Sequence, residues 1–396
     1  MLKLFSTFFA GKVLAQGINF LSTIILIAYL STEDFGRYSF TLELVMLFSA
    51  LLEIGSRSVY IREISSSRRD FQSILTLHFL LIIIFLIISG TFLFLFRTID
   101  YYFTFLIMLL ALASSIQVPF IASLISKREA YQVSKIEVFI SIGKLIFFST
   151  LVLLGFSWDF FLFFFLIILV VFYTVAYDSI SITFLAIKTT TIKELFFNKN
   201  IKIVLPMMLI ALMSLLYNKI DIFMLEIFLG FQSVGEYAVI YRLILPFMFV
   251  SSSLFMVLLP SFADSSLPGK SMIKIAFLMF FVGFILSIAI SSMFWLVSDM
   301  FFEKYAYLLN DFILYSFYLP LVFSYGVMSN FLVSKGQERV IFGVTIIALM
   351  FNVLFNFILI PKLGVKGAIL STIFSEMLIL LIYCFFFFTN KFERYD

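Results

Sequence analysis

Long apolar stretches, separated by short polar connectors, run through this chain of 396 residues from one end to the other. A helix rises about 1.5 Å per residue, so about 20 apolar residues cross the roughly 30 Å hydrocarbon core of a bilayer. The longest connector, from Lys188 to Lys202, is too short to fold as a soluble domain. The sequence therefore predicts an all-α polytopic membrane protein. The pattern predicts about twelve spans, at residues 12–30, 36–56, 72–96, 101–125, 136–155, 160–187, 203–225, 236–262, 273–298, 312–333, 340–360 and 368–389.

The composition agrees with this fold class and narrows the chemistry. Hydrophobic residues make up 63% of the chain, which contains one cysteine, Cys384, and one histidine, His78. These counts exclude a disulfide framework, a zinc site and a cysteine–histidine catalytic pair. We expect neither a metal nor a catalytic centre, and therefore no enzyme and no organic cofactor.

Basic residues are distributed unequally between the two sets of connectors. Only five of the 27 Lys and Arg residues lie in connectors on one side of the predicted membrane, namely Arg37, Arg97, Lys304, Lys362 and Lys366. Nearly all the others lie on the opposite side. Short connectors rich in Lys and Arg stay in the cytoplasm, which predicts that both termini are cytoplasmic. No basic run is long enough for a nucleic-acid surface, so we expect no nucleic-acid partner.

Two segments that lie 199 residues apart indicate an internal repeat. The two segments are Leu30-Ser-Thr-Glu-Asp-Phe-Gly-Arg-Tyr38 and Leu229-Gly-Phe-Gln-Ser-Val-Gly-Glu-Tyr237. They match at the first leucine, at Gly36 and Gly235, and at the final tyrosine. The same offset pairs Asn19 with Asn218 in the preceding spans. Parallel repeats of this kind place the substrate site at their interface. The expected architecture is two six-helix bundles, residues 1–198 and 199–396, around a central cleft.

Three features of the second half of the chain resemble the polysaccharide transporter branch of the MOP (multidrug/oligosaccharidyl-lipid/polysaccharide) exporter superfamily. They are Asp221, the segment from Leu229 to Tyr237 and the basic Arg242. The resemblance implies a MATE-like pair of bundles that alternates access in the bacterial inner membrane. It also implies a flippase for an undecaprenyl-pyrophosphate-linked oligosaccharide, such as an O-antigen repeat unit of lipopolysaccharide biosynthesis. The implied partners are this lipid-linked substrate, membrane lipids and other polysaccharide assembly proteins.

Ionisable residues at membrane depth are the candidates for chemistry, because each is costly unless it faces a wet cavity or a partner. Counted from the connectors, Asp221 and Arg242 share a depth of roughly 15 Å and could form an ion pair, with Lys219 nearby. A pyrophosphate-linked substrate is anionic, and Lys or Arg in a desolvated cavity would hold it. We therefore expect these three residues to contribute to the substrate site. A structural salt bridge is the alternative.

Four further charged residues lie within the predicted spans and extend this hypothesis. Lys144 and Asp178 lie at equal depth on adjacent spans, where they could contact substrate or only hold their hairpin together. The repeat offset makes Glu43 the counterpart of Arg242, an acid where the other half has a base. Glu376 lies in the middle of the last span, and its carboxylate could couple transport to a proton or sodium gradient.

Polar stripes on the first and seventh spans favour a polar cavity. The helical spacing places each set on one face, with Lys12, Gln16, Asn19 and Thr23 on the first span and Ser214, Asn218 and Asp221 on the seventh. We expect Asn19 and Asn218, as equivalent positions, to face the cleft. Hydrogen bonding between helices is the alternative.

Two other functions fit a polytopic chain. A cation-coupled exporter of drugs or other small molecules belongs to the same superfamily. A membrane polysaccharide polymerase or ligase would use the same lipid donor, but such an enzyme is expected to carry a large outward loop. The longest outward connector here runs only from Asp299 to Asp311, which disfavours the enzyme.

Overall fold

The computed structural model describes most of the predicted spans. The described residues are 2–53, 82, 87, 105–114, 121, 124, 130–162, 201–264, 269–301 and 303–389. Most of the predicted spans at 72–96, 101–125 and 160–187 lies outside these ranges, as does the site residue Asp178.

The described parts of the chain fold almost entirely as helices. The helix bounds are α1 (Leu2–Tyr29), α2 (Thr32–Glu53), α3 (Ala130–Leu154), α4 (Ile201–Leu229), α5 (Phe231–Asp264), α6 (Gly269–Phe301), a 3₁₀-helix (Glu303–Leu308), α7 (Leu309–Ser316), α8 (Tyr318–Ser334), α9 (Glu338–Leu363) and α10 (Val365–Phe388). A short apolar helix covers Phe105–Ser114. Each of these elements coincides with a predicted span or lies beside one, which confirms the all-α fold and part of the predicted count of twelve.

Six stretches of the described chain are long and apolar enough to cross a bilayer. They are Phe9–Tyr29, Tyr131–Leu154, Met272–Ser298, Glu303–Ser334, Arg339–Leu363 and Val365–Phe388. Large apolar side chains cover their outward surfaces, and Leu153, for example, is 85% exposed. Helices satisfy their own backbone hydrogen bonds, so such surfaces are stable against lipid. The chain is a multi-pass membrane protein.

The tenth predicted span, residues 312–333, is not one continuous helix. It is divided at Phe317 into α7 and α8. Pro320 explains the division, because it has no N–H for the carbonyl of Ser316 and its ring collides with that carbonyl in an unbroken helix. Pro320 lies instead in the first turn of α8, where a missing N–H is tolerated. Beside the break, the hydroxyls of Ser287 and Ser316 lie 2.6 Å apart and join α6 to α7.

The chain divides into two compact units. One comprises Met1–Tyr29 and Phe40–Leu215, and the other comprises Leu30–Ser39 and Leu216–Asp396. The predicted boundary at residues 198 and 199 concerns the halves of the repeat and stays a prediction.

In the first unit, α1 packs along α3. The Lys12 ammonium lies 2.6 Å from the Glu137 carboxylate, and the Asn19 amide donates to the Ser141 hydroxyl at 2.8 Å. These two contacts are hydrogen bonds between helices, the kind of contact that the sequence left open as the alternative role of the polar stripe on α1.

In the second unit, the first turn of α2 packs backbone to backbone against the first turn of α5. A Cβ atom at Gly36 would lie 2.9 Å from the Gly235 nitrogen and would overlap the Phe231 carbonyl oxygen. A Cβ atom at Gly235 would in turn overlap the Thr32 carbonyl oxygen. The offset of 199 relates Thr32 to Phe231 and Gly36 to Gly235, so equivalent residues make reciprocal contacts. This close approach is the physical reason for both glycines.

The residues before these two turns differ for a local reason. Gly230 has a φ of 79°, which favours glycine, whereas its repeat counterpart is Ser31. The Ser31 hydroxyl accepts a hydrogen bond from the Asp34 backbone N–H at 3.1 Å. Serine therefore caps α2 where glycine makes the turn into α5.

We expect Gly36→Ala and Gly235→Ala each to lower the free energy of unfolding by about 1–3 kcal/mol, because the added methyl groups meet backbone that has little room to move. Gly343→Ala is the matched control, since nothing lies within 4 Å of a Cβ atom there. Thermal unfolding of the purified protein in detergent measures all three. Equal unfolding temperatures for the Gly36 and Gly343 variants would contradict the close contact.

Candidate functional site

A buried carboxylate joins four helices of the second unit. Asp221 on α4 is 3% exposed. Its carboxylate accepts hydrogen bonds from the Tyr237 hydroxyl on α5 at 2.7 Å, the Asn356 amide on α9 at 2.5 Å and the Thr372 hydroxyl on α10 at 2.6 Å. The Asn356 amide also donates to Asn352, one turn earlier on α9, at 2.8 Å. We call this set the Asp221 node.

The predicted ion pair between Asp221 and Arg242 is therefore wrong. All three hydrogen-bond donors to Asp221 are uncharged. The prediction was based on equal depth in the membrane, and depth does not fix the direction in which a side chain points. Asp221 points toward α9 and α10, whose sequence positions lie far from α4.

A second carboxylate lies one helical turn from the Asp221 node. Glu376 on α10 is 1% exposed, and its Oε1 atom accepts a hydrogen bond from the Tyr217 hydroxyl at 2.9 Å. Tyr217 and Asp221 are four residues apart on α4, as are Thr372 and Glu376 on α10, so each pair shares a helix face. The two contacts form an antiparallel ladder, which packs Tyr217 on Glu376 and Asp221 on Thr372.

Lys219 and Arg242 each lie beside aromatic side chains, and adjacent residues of α5 connect the two sets of contacts. The Lys219 ammonium donates to the Tyr241 hydroxyl at 2.6 Å and lies 4.3 Å from the centre of that ring. The guanidinium carbon of Arg242, the next residue on α5, lies 6.0 Å from the ring centres of both Phe35 and Tyr38. Aromatic faces attract cations without neutralising them, and this cluster holds two cations in this way. It is suited to an anionic group with an apolar or sugar neighbour. We call it the basic cluster.

The other predicted site residues lie in different surroundings. Glu43 is 2% exposed on α2, and Asn218 is exposed on α4. The Lys144 ammonium lies 5.3 Å from the ring centre of Phe148, one turn along α3. Its predicted partner, Asp178, lies outside the described residues, so their pairing stays a prediction.

Sequence reasoning missed Glu137, Tyr217, Asn352, Asn356 and Thr372. A signal for most of them was present. Polar residues four apart inside an apolar span share one helix face, and α4, α9 and α10 each carry such a pair in the Asp221 node or the adjoining ladder. Within the described parts of the chain, no three His, Cys, Asp or Glu side chains converge as metal ligands.

Further contacts surround the first turns of α2 and α5, where Gly36 and Gly235 meet. The Lys304 ammonium donates to the Leu30 carbonyl at 2.5 Å, and the Tyr307 hydroxyl donates to the Glu236 carboxylate at 2.7 Å. The Arg37 guanidinium carbon lies 4.7 Å from the centre of the Phe231 ring. The 3₁₀-helix thus holds the two repeat-related turns together.

A protein-family model described as "Polysaccharide biosynthesis protein" matches residues 2–266 of the chain. A comparison with curated protein sequences gives no match. Among solved structures, the fold is similar to a lipid II flippase, MurJ, in an inward closed conformation, with 16% identity and a TM-score of 0.75 over 96% of this chain and 86% of that one.

Transporters of the MOP superfamily have the same fold. A multidrug resistance MATE family transporter in an inward-facing conformation has 16% identity and a TM-score of 0.70, over 95% of this chain and 94% of that one. A MOP superfamily transporter from Pyrococcus furiosus has 16% identity and a TM-score of 0.62, over 98% and 95% of the two chains. The binding pocket of the latter is described as having reverse polarity, which suggests a different function for that protein. These relatives are transporters and flippases, as expected for a chain that is not an enzyme.

Proposed function

The chain belongs to the polysaccharide biosynthesis protein family, and we propose that it is a flippase for a lipid-linked oligosaccharide. The substrate is an undecaprenyl-pyrophosphate-linked repeat unit, of O-antigen or a similar surface polysaccharide. The protein moves it by alternating access from the inner to the outer leaflet of the bacterial inner membrane. Both termini are cytoplasmic in this proposal, and other polysaccharide assembly proteins supply and consume the substrate.

The basic cluster is the observation that carries the proposal. Lys219 is only 8% exposed, yet its hydrogen-bond acceptor Tyr241 is uncharged. Arg242 follows Tyr241 directly and lies among aromatic rings. Two cations placed beside aromatic rings inside predicted spans suit an anionic pyrophosphate, which Lys and Arg bind through charge-assisted hydrogen bonds. Glu43, Lys144, Asp178, Asn19 and Asn218 stay proposed contributors to the transport path.

Coupling to a proton or sodium gradient is part of the same proposal. Glu376 supports it, because this carboxylate is buried in α10 and its hydrogen-bond donor Tyr217 is neutral. Uptake and release of one positive charge at Glu376 would change the charge of the second unit without any organic cofactor.

A cation-coupled exporter of drugs is the second candidate function. The fold similarity to a multidrug resistance MATE family transporter favours it. Export of cationic compounds, however, needs an acidic binding site, whereas the Asp221 carboxylate is already occupied by three donors. The basic cluster therefore favours the anionic substrate.

Deletion of the protein from its host should trap lipid-linked repeat units in the inner leaflet and reduce the polysaccharide on the cell surface. Surface polysaccharide and extracted lipid-linked sugars measure both effects. Expression of the intact chain should restore the surface polymer. Unchanged polysaccharide, together with increased sensitivity to cationic drugs, would favour the exporter instead.

A further inference from the structure

Glu376 occupies an unusual position for a carboxylate in a membrane protein. It lies near the middle of α10 with 1% of its side chain exposed. One oxygen accepts the hydrogen bond from Tyr217, whereas the other, Oε2, is buried and has no hydrogen-bond partner within the described chain. An ionised carboxylate in such a place loses several kcal/mol of hydration free energy, which no opposite charge among the described residues offsets. The site therefore calls for a positive charge that the described side chains do not bring.

The groups that face Glu376 decide which charge fits. Tyr325 on α8 interacts with the same carboxyl group as Tyr217 does. The titratable groups close enough to act on Glu376 are phenols, with one carboxylate among them: Tyr217 and Asp221 from α4, Tyr315 from α7, and Tyr318 and Tyr325 from α8. Phenols donate hydrogen bonds but do not neutralise a charge. The nearby carboxylate adds repulsion.

The ligand set favours a proton over a metal cation. Hard metal cations take roughly six or more oxygen ligands. The oxygens that the described structure brings to Glu376 are its own pair and the hydroxyls of Tyr217 and Tyr325. The Tyr217 hydroxyl meets the carboxyl group as a hydrogen-bond donor, at Oε1. A proton needs only the second carboxyl oxygen, which is the one left without a donor.

The antiparallel ladder ties this position to the basic cluster. Tyr217, Lys219 and Asp221 are alternate residues of α4, and the first and last of them contact Glu376 and Thr372 on α10. We propose that Glu376 is a proton-binding site and that its charge is transmitted through the α4–α10 ladder to Lys219. This inference rests on the proposed function for its role in transport, but the proton site itself does not.

The consequence for the cycle follows from the charges. A protonated Glu376 leaves Asp221 as the one negative charge on the ladder. Loss of the proton places two negative charges about one helical turn, roughly 5.4 Å, apart and weakens the packing of α4 on α10. Lys219 lies on α4 between the two contacts, so its position relative to Tyr241 depends on the protonation of Glu376.

Infrared difference spectroscopy of the intact protein in lipid bilayers tests the site directly. Acidification should produce the carbonyl stretch of a protonated carboxylic acid, and Glu376→Gln should remove this band. Tyr217→Phe should keep the band but shift its frequency, because it removes the hydrogen bond to Oε1. Glu43→Gln, a matched change of a buried carboxylate in the other unit, should leave the band in place. Replacing potassium by sodium in the buffer should also leave it in place.

A band that survives in Glu376→Gln, or the absence of any such band in the intact protein, would overturn the proposal. A band that sodium removes would do the same, since it would mark a metal site. The readout needs no transport, so a chain that shows the band but flips no lipid-linked sugar would refute the proposed function while leaving the proton site established.

Discussion

Replacement of Lys219 and Arg242 by alanine should abolish transport of the lipid-linked oligosaccharide while the protein stays inserted and folded. Hydrogen bonds to charged groups contribute about 1.5–3 kcal/mol each. Loss of both cations should therefore weaken binding of the pyrophosphate by roughly 100-fold or more. Arg242→Lys should recover part of the function, because lysine keeps the charge but loses the planar fork that binds two oxygens. Binding of the purified substrate and surface polysaccharide in cells, at equal protein levels, are the measurements.

Two controls separate a binding role from a structural one. Arg339→Ala changes an exposed basic residue at the start of α9 and should leave transport intact. The double change of Asp221→Asn and Arg242→Ala should not restore transport, because the Asp221 carboxylate is held by neutral donors. Recovery in the double variant would show that Arg242 serves only to balance Asp221, and the substrate site would then lie elsewhere.

Asp221→Ala should be the most destabilising single change in the second unit. It leaves the donors of Tyr237, Asn356 and Thr372 buried without their acceptor, at about 1–3 kcal/mol each. The helices α4, α5, α9 and α10 lose their common contact at the same time. Thermal unfolding in detergent should show a large decrease for Asp221→Ala.

Thr372→Val is the graded comparison, because it removes one of the three donors and keeps the side-chain volume. We expect it to cost about 1–2 kcal/mol, well below the effect of Asp221→Ala. If the two variants unfold at the same temperature, the node does not act as a shared contact and Asp221 stabilises the fold only through Thr372.

Much of the fold was predictable because membrane insertion acts on local sequence. The length and hydropathy of a segment decide whether it spans, so most helix positions follow from the apolar pattern. The glycines at positions 36 and 235 were visible as a repeat, and the structure adds their reason, which is the reciprocal backbone contact. The break at Phe317 lies three residues before Pro320, and a proline inside an apolar span predicts a kink of this kind.

The candidate site was predictable only in part. The sequence identified the buried charges at Asp221 and Glu376, because a charge in an apolar run stands out. It did not identify their partners, since Asn356 and Thr372 belong to helices more than 130 residues away and are uncharged. The partner of a buried charge is set by how helices rotate against each other. In a membrane, where lipid is as apolar as the core, the hydrophobic pattern says little about that rotation.

The most direct test of the account is flipping of a defined lipid-linked oligosaccharide by the purified protein in liposomes. Substrate placed in one leaflet becomes accessible in the other to a sugar-cleaving enzyme added outside. We expect protein-dependent transfer of the pyrophosphate-linked oligosaccharide and no transfer in the Lys219→Ala, Arg242→Ala double variant. Liposomes in which the intact protein leaves that substrate in its original leaflet, yet moves a cationic drug across the membrane, would contradict it.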